Sequence, residues 1–119
     1  GIVDLSEKTQ RSIQQNRYAH LIMSYLAMET GNTLDYVKEV FYKRAANKEL
    51  FLREKEDEIL GKVEYLRSSA DLSKEEMTLS IDRFRDWSSQ TAGVYLPAAN
   101  EQEFLASIEY ELSKYKQWV

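Results

Sequence analysis

The sequence contains no cysteine, one proline (Pro97), one histidine (His20) and four glycines. Without cysteine there is no disulfide, no thiolate metal ligand and no cysteine nucleophile, and the redox compartment stays open. A lone histidine excludes His-rich zinc sites and disfavours most catalytic triads. Scarce glycine and proline leave few places for tight turns, which favours long helices over many short strands. No apolar run approaches the ~20 residues needed to cross a bilayer, and no secretory signal is visible. The expectation is a cytoplasmic protein with no membrane partner.

What is there fits one domain, residues 1–119, and the hydrophobic fraction of 43% is enough for a core, so global disorder is excluded. The net charge of −4 argues against a general nucleic-acid binder. It is unevenly spread, however. Residues 1–55 hold nine Lys/Arg against seven Asp/Glu (+2), and residues 56–119 hold seven against thirteen (−6). Such a split can leave a basic patch on an acidic protein.

Periodicity predicts a mainly α, four-helix domain. A first helix runs from about Ser12 to Thr30, with Tyr18, Ile22, Tyr25 and Leu26 on one face and Gly31 as its stop. Thr33 caps a second helix reaching about Ala46. Ser73 and Glu76 have capping-box spacing, flanked by Leu72 and Met77 as a staple, and open a third helix that ends before Gly93. Asn100 with Glu103 opens the last. Phe84 and Trp87 should be buried and Trp118, next to the end, exposed or held by a partner. Residues 47–70 are rich in Glu and Lys, yet two runs within them alternate in strand fashion, so a short β-hairpin or extended excursion is expected at about 50–67. Ile2-Val3-Asp4-Leu5 reads like the tail of a strand, and residues 1–8 like the remnant of one whose start lies upstream.

No nucleophile stands with a base, and no Gly-rich loop could cradle a phosphate, so no catalytic residue, cofactor or metal is expected. Asp82 and Asp86 lie one turn apart, as Mg²⁺ ligands can, but Arg83 and Arg85 are interleaved with them and a solvated face is the simpler account. His20 has no carboxylate or histidine partner one turn away and reads as a packed or surface residue. Eight tyrosines are many for this length, and Tyr18, Tyr25, Tyr36 and Tyr42 fall in the basic half. Rings among cations suit single-strand binding, since bases stack while cations follow phosphates. Tyrosines packed at the rim of a helix pair would look the same.

Two stretches together resemble a phage family. Arg11-Ser12-Ile13-Gln14-Gln15-Asn16 is similar to the Arg-Ser-x-x-Gln-Asn segment that begins a long helix in the NinB/Orf recombination-mediator family of lambdoid phages and prophages. Ser68-Ser69-Ala70-Asp71-Leu72-Ser73-Lys74-Glu75-Glu76-Met77 resembles its second block. Ile81 through Trp87 to Gly93-Val94-Tyr95-Leu96-Pro97 is similar to that family's helix followed by Gly-Ile-x-Leu-Pro. The resemblance covers about residues 9–46 and 68–100 and leaves 47–67 unmatched. It implies an accessory protein, homodimeric in full length, that binds single-stranded DNA without sequence specificity and helps load a recombinase against single-strand-binding protein. Members usually carry a strand-rich part before the Arg-Ser-x-x-Gln-Asn segment, and this chain has almost none of it.

On this reading Lys8, Arg11 and Arg17 cluster at the start of the first helix, where unpaired N–H groups favour anions, with Gln15 and Asn16 able to bond sugar or phosphate. Lys43, Arg44 and Lys48 end the second helix, and antiparallel packing would merge the two groups into one patch. The alternative is a protein–protein interaction module of phage origin that never touches nucleic acid.

Overall fold

The computed structural model describes residues 2–118, with side chains from residue 14 to residue 115. Helix α1 spans Ile2–Thr30, so the strand remnant expected over residues 1–8 is helix from Ile2 onward, and the start expected at Ser12 lies inside it. No glycine or proline stands between Ile2 and Thr30, and a nucleated helix propagates until something stops it. The stop is Gly31 at φ 72°, behind which the Asn32 N–H reaches the Ala27 carbonyl at 3.0 Å. That bond satisfies one of the carbonyls orphaned at a helix end.

Thr33 caps α2 as expected, its hydroxyl accepting from the Tyr36 N–H at 3.1 Å. The helix runs over Leu34–Tyr36 and continues in wider π turns over Val37–Ala46. Asn47 closes it: its amide donates to the Tyr42 carbonyl at 3.0 Å and to the Ser80 carbonyl at 2.9 Å. Wide turns of this length are rare, and these end tied by a buried side chain to another helix.

A single turn, α3 (Lys48–Phe51), leads into strands β1 (Leu52–Asp57) and β2 (Gly61–Leu66), paired antiparallel from Leu52↔Leu66 to Asp57↔Gly61. Of hairpin and extended excursion, the chain forms the hairpin. Asp57 shapes the turn by accepting from the N–H groups of Ile59 (2.8 Å) and Leu60 (2.9 Å), and Gly61 sits at φ 77°. A three-residue loop followed by a left-handed glycine is a favoured hairpin connection. Arg67 fixes the base. Its N–H donates to the Phe51 carbonyl at 2.9 Å, and its guanidinium spans the Leu50 and Asp71 carbonyls, each at 3.1 Å.

Helix α4 covers Lys74–Trp87 and winds on in wider turns through Ser88–Ala92, ending at Gly93 with φ 71°. Both bonds of the capping box form: Glu76 N–H to Ser73 Oγ at 3.1 Å, and Ser73 N–H to Glu76 Oε1 at 2.9 Å. Residues 94–98 have no regular secondary structure and are pinned by side chains, with Arg85 Nε on the Leu96 carbonyl (2.9 Å) and the Tyr18 hydroxyl on the Pro97 carbonyl (2.5 Å). Helix α5 runs Gln102–Trp118. The organising side chain at its start is Glu101, not Asn100 with Glu103. The Glu101 carboxylate accepts from the Ala98 N–H (2.6 Å) and the Tyr95 hydroxyl (2.7 Å).

The core gathers Ile22 and Leu26 of α1, Val37 and Tyr42 of α2, Phe51, Phe84 and Leu96. Phe84 is buried as expected. Trp87 is largely covered as well, packed against the core and 5.0 Å from Phe41 between ring centroids, while Trp118 lies outside the described side chains. The radius of gyration is 16.1 Å. A compact domain of this length would measure about 13.5 Å, so elements stand out from the body. Among the described residues no helix is long and apolar enough to cross a membrane.

Candidate nucleic-acid interface

Of the expected basic residues, Arg17, Lys43, Arg44 and Lys48 have described side chains, and their settings differ. Lys8 and Arg11 lie well inside α1 rather than in its first turn, which removes the helix-terminus argument for them, and their side chains are outside the described residues. Gln15 donates to the Thr78 hydroxyl at 2.9 Å and so joins α1 to α4. Asn16 and Arg17 are exposed and turn to α5, where they line a groove with His20, Leu21, Glu109 and Leu112. A carboxylate facing an arginine weakens a phosphate track.

Lys43 is the plainest correction. It is 5% exposed, and its ammonium donates to the Arg67 carbonyl at 2.8 Å, lies 3.4 Å from Glu39 and sits over the Phe51 ring at 5.4 Å. The long apolar stem favours such burial once the charged head has partners. The cation therefore anchors the hairpin base and is withdrawn from solvent. Arg44 and Lys48 remain exposed.

The tyrosines divide along the packed account. Tyr42 is buried, its hydroxyl 2.5 Å from Ser80 Oγ, and burial raises its pKa above the ordinary value of 10.0. Tyr18 is held by the Pro97 carbonyl, and burial raises its pKa too. Tyr25 meets Phe104 edge-on at 6.1 Å. Tyr36 alone of the four is well exposed, at 46%. Asp82 and Asp86 are both exposed on α4, in keeping with a solvated face. No group of three or more His, Asp or Glu stands ready to hold a metal ion among the described residues.

A different surface brings cations and an aromatic ring together. Across the hairpin register, Arg53 faces Tyr65 and Lys55 faces Val63, so these four share one face of the sheet. The opposite face carries Glu54 opposite Glu64 and Glu56 opposite Lys62. Successive residues point to opposite sides of a strand, which sets Glu54, Glu56 and Glu64 away from Arg53 and Lys55. Tyr65 is 44% exposed and Lys55 is exposed. The Arg53 guanidinium donates to the Leu52 carbonyl at 2.9 Å and to the Glu49 carbonyl at 3.2 Å. Asp57 shares this face, but its carboxylate is spent on the turn: the Leu60 and Ile59 N–H groups lower its pKa. Like charges directly opposed, as at Glu54 and Glu64, destabilise a sheet, so the segregation has a cost. The signal for this face was the alternation of Phe51, Arg53, Lys55 and of Val63, Tyr65, Arg67. It identified strands without their register.

The hairpin ends in Ile59 and Leu60, exposed at 91% and 75%. No known protein family, characterised protein or solved structure matches the chain in comparison. The fold is thus defined by its own geometry: a mainly α domain with one projecting two-stranded hairpin.

Proposed function

We propose that this chain is a non-catalytic accessory protein that binds single-stranded DNA without sequence specificity, through the Arg53, Lys55 and Tyr65 face of its hairpin together with Arg44 and Lys48. The observation that supports it is the register pairing Arg53 with Tyr65 and Lys55 with Val63, which lays two cations beside one exposed ring. Cations tracking the backbone and a ring on which a base stacks are the two parts a single-strand binder needs. The resemblance of Arg11–Asn16 and Ser68–Met77 to the NinB/Orf recombination mediators supports the same class. It extends the proposal to recombinase loading against single-strand-binding protein and to a homodimer in full length.

The test is anisotropy of a labelled single-stranded oligonucleotide at several salt concentrations. Binding should be weak, indifferent to base sequence and steeply weakened by salt, because phosphate contacts release counterions. Lys55→Ala should lower the salt slope by about 1. Tyr65→Ala should cost about 1–3 kcal/mol with the slope unchanged. Arg17→Ala should have the smaller effect, given Glu109 in its groove. Absence of binding at low salt overturns single-stranded DNA binding by this chain and leaves the alternative, an interaction module that contacts protein alone.

A further inference from the structure

The proposed strand contact leaves two parts of the hairpin unused, its turn and its second face. At the turn Ile59 and Leu60 stand bare in water. Aliphatic side chains exposed singly are ordinary, but two adjacent ones at the end of a projecting element make an apolar tip. The base behind the tip is fixed, with Arg67 bonding the Leu50 and Asp71 carbonyls and the buried Lys43 ammonium on the Arg67 carbonyl. Of the three acids before the tip, Asp57 is turned inward onto the Ile59 and Leu60 N–H groups. Glu56 faces Lys62 across the register, and Glu58 is exposed. The second face sets Glu54 opposite Glu64, whereas the first carries Arg53, Lys55 and Tyr65. A polyanion is therefore drawn to one side of the hairpin and repelled from the other.

We infer that the hairpin docks where single strand meets duplex, a reading that rests on the single-strand binding proposed above. One strand runs along Arg53, Lys55 and Tyr65, while Ile59 and Leu60 cover the outer face of the last base pair. The lengths agree. Tyr65 to Gly61 is about 13 Å of β-strand, and stacked bases rise about 3.4 Å each, so a base on Tyr65 lies about four steps from the tip. Leu and Ile are among the side chains with which proteins wedge base steps apart, and the cost of doing so is unstacking. At a duplex end that cost is absent, because the outer face of the last pair is already bare. It is uncharged and wide enough for both side chains, whereas a lone strand offers no paired face. The phosphates lie at its rim, where Lys55 and Lys62 flank the turn against Glu58. Glu54 and Glu64 turn the complementary strand away, so the hairpin follows one strand of the junction and not both.

Fluorescence anisotropy at low salt with two labelled substrates tests it. One is a plain single strand; the other is the same strand with part of its length annealed, leaving a tail long enough to reach Tyr65. The tailed duplex should bind about tenfold tighter, as burial of two aliphatic side chains allows. The Ile59→Ser, Leu60→Ser double variant should bind the plain strand as before and lose the preference. Its circular dichroism should be unchanged, since both side chains stand in water. Tyr65→Ala should weaken both substrates by a like factor. Binding of the plain strand with no preference for the tailed duplex overturns the inference and leaves single-strand binding intact. A preference that survives the double tip variant overturns it too. Failure to bind either substrate overturns the single-strand reading and the junction with it.

Discussion

The start of α4 and the hairpin that precedes it are separated by only a few residues, yet they are held by opposite means. At α4, local and distant interactions agree. The Ser73–Glu76 box satisfies the first turn, Leu72 packs on the core beside buried Met77, and Ile81 and Phe84 face inward behind them. In the hairpin only Leu52 and Leu66 at the base approach the body, while Glu54, Lys55, Glu56, Lys62 and Glu64 are all exposed. Its Glu and Lys residues prefer helix, and strand pairing prevails because Asp57 with Gly61 forces the reversal and Arg67 clamps the open end. Agreement between levels gives a rigid element. A hairpin held at its two ends alone leaves its faces free for other molecules.

The sharpest way to separate the two regions is Phe84→Ala. Phe84 is fully buried and meets Tyr42 edge-on at 5.4 Å, so the cavity should cost about 3–5 kcal/mol and be felt by the whole molecule. Urea melts followed by far-ultraviolet circular dichroism check this; a cost under about 1 kcal/mol would mean α4 is not seated on the core as described. Arg67→Ala comes next, at about 1–3 kcal/mol from the Leu50 and Asp71 carbonyls losing their guanidinium partner. Its effect should be uneven. Amide exchange should quicken over β1 and β2 and change little in α4 beyond its first turn, where Arg67 also lies 3.7 Å from Glu76. Uniform quickening would show that the hairpin is no separate unit.

The smallest effect is that of acid. Backbone N–H groups lower the pKa of Asp57, with Leu60 and Ile59 as donors, and of Glu76, with Ser73 as donor. A carboxylate whose pKa is depressed by folding contributes stability above its ordinary value, here 3.8 and 4.5, and loses it as pH falls through the lower folded value. Both ends should therefore loosen only in acid. The Ile59 and Leu60 amide resonances should titrate below pH 3.8, and Asp57→Asn should abolish that titration. Titration at or above the ordinary aspartate value would remove Asp57 from the turn.

The sequence by itself determined the elements whose instructions are local. Thr33, the Ser73–Glu76 box, and Gly31 and Gly93 as stops each act within a turn or two of the chain, and all are found where their spacing predicts. The mainly α class and the presence of strands near residues 50–67 were legible for the same reason. The first helix begins earlier than expected because no breaker follows β-branched Ile2-Val3 and the helix extends back through them. Only the tertiary structure decided which cations are surface. Lys43 looks like Arg44 in the chain, and it is buried because Arg67 and Phe51, distant in the chain, meet it beside Glu39 of its own helix. It likewise decided that Tyr65 shares a face with Arg53 and Lys55, since a one-residue slip of register would have moved it to the opposite side. A cap is a contract between neighbours in sequence. A binding face here is set by cross-strand register, which the residue types along either strand alone do not state.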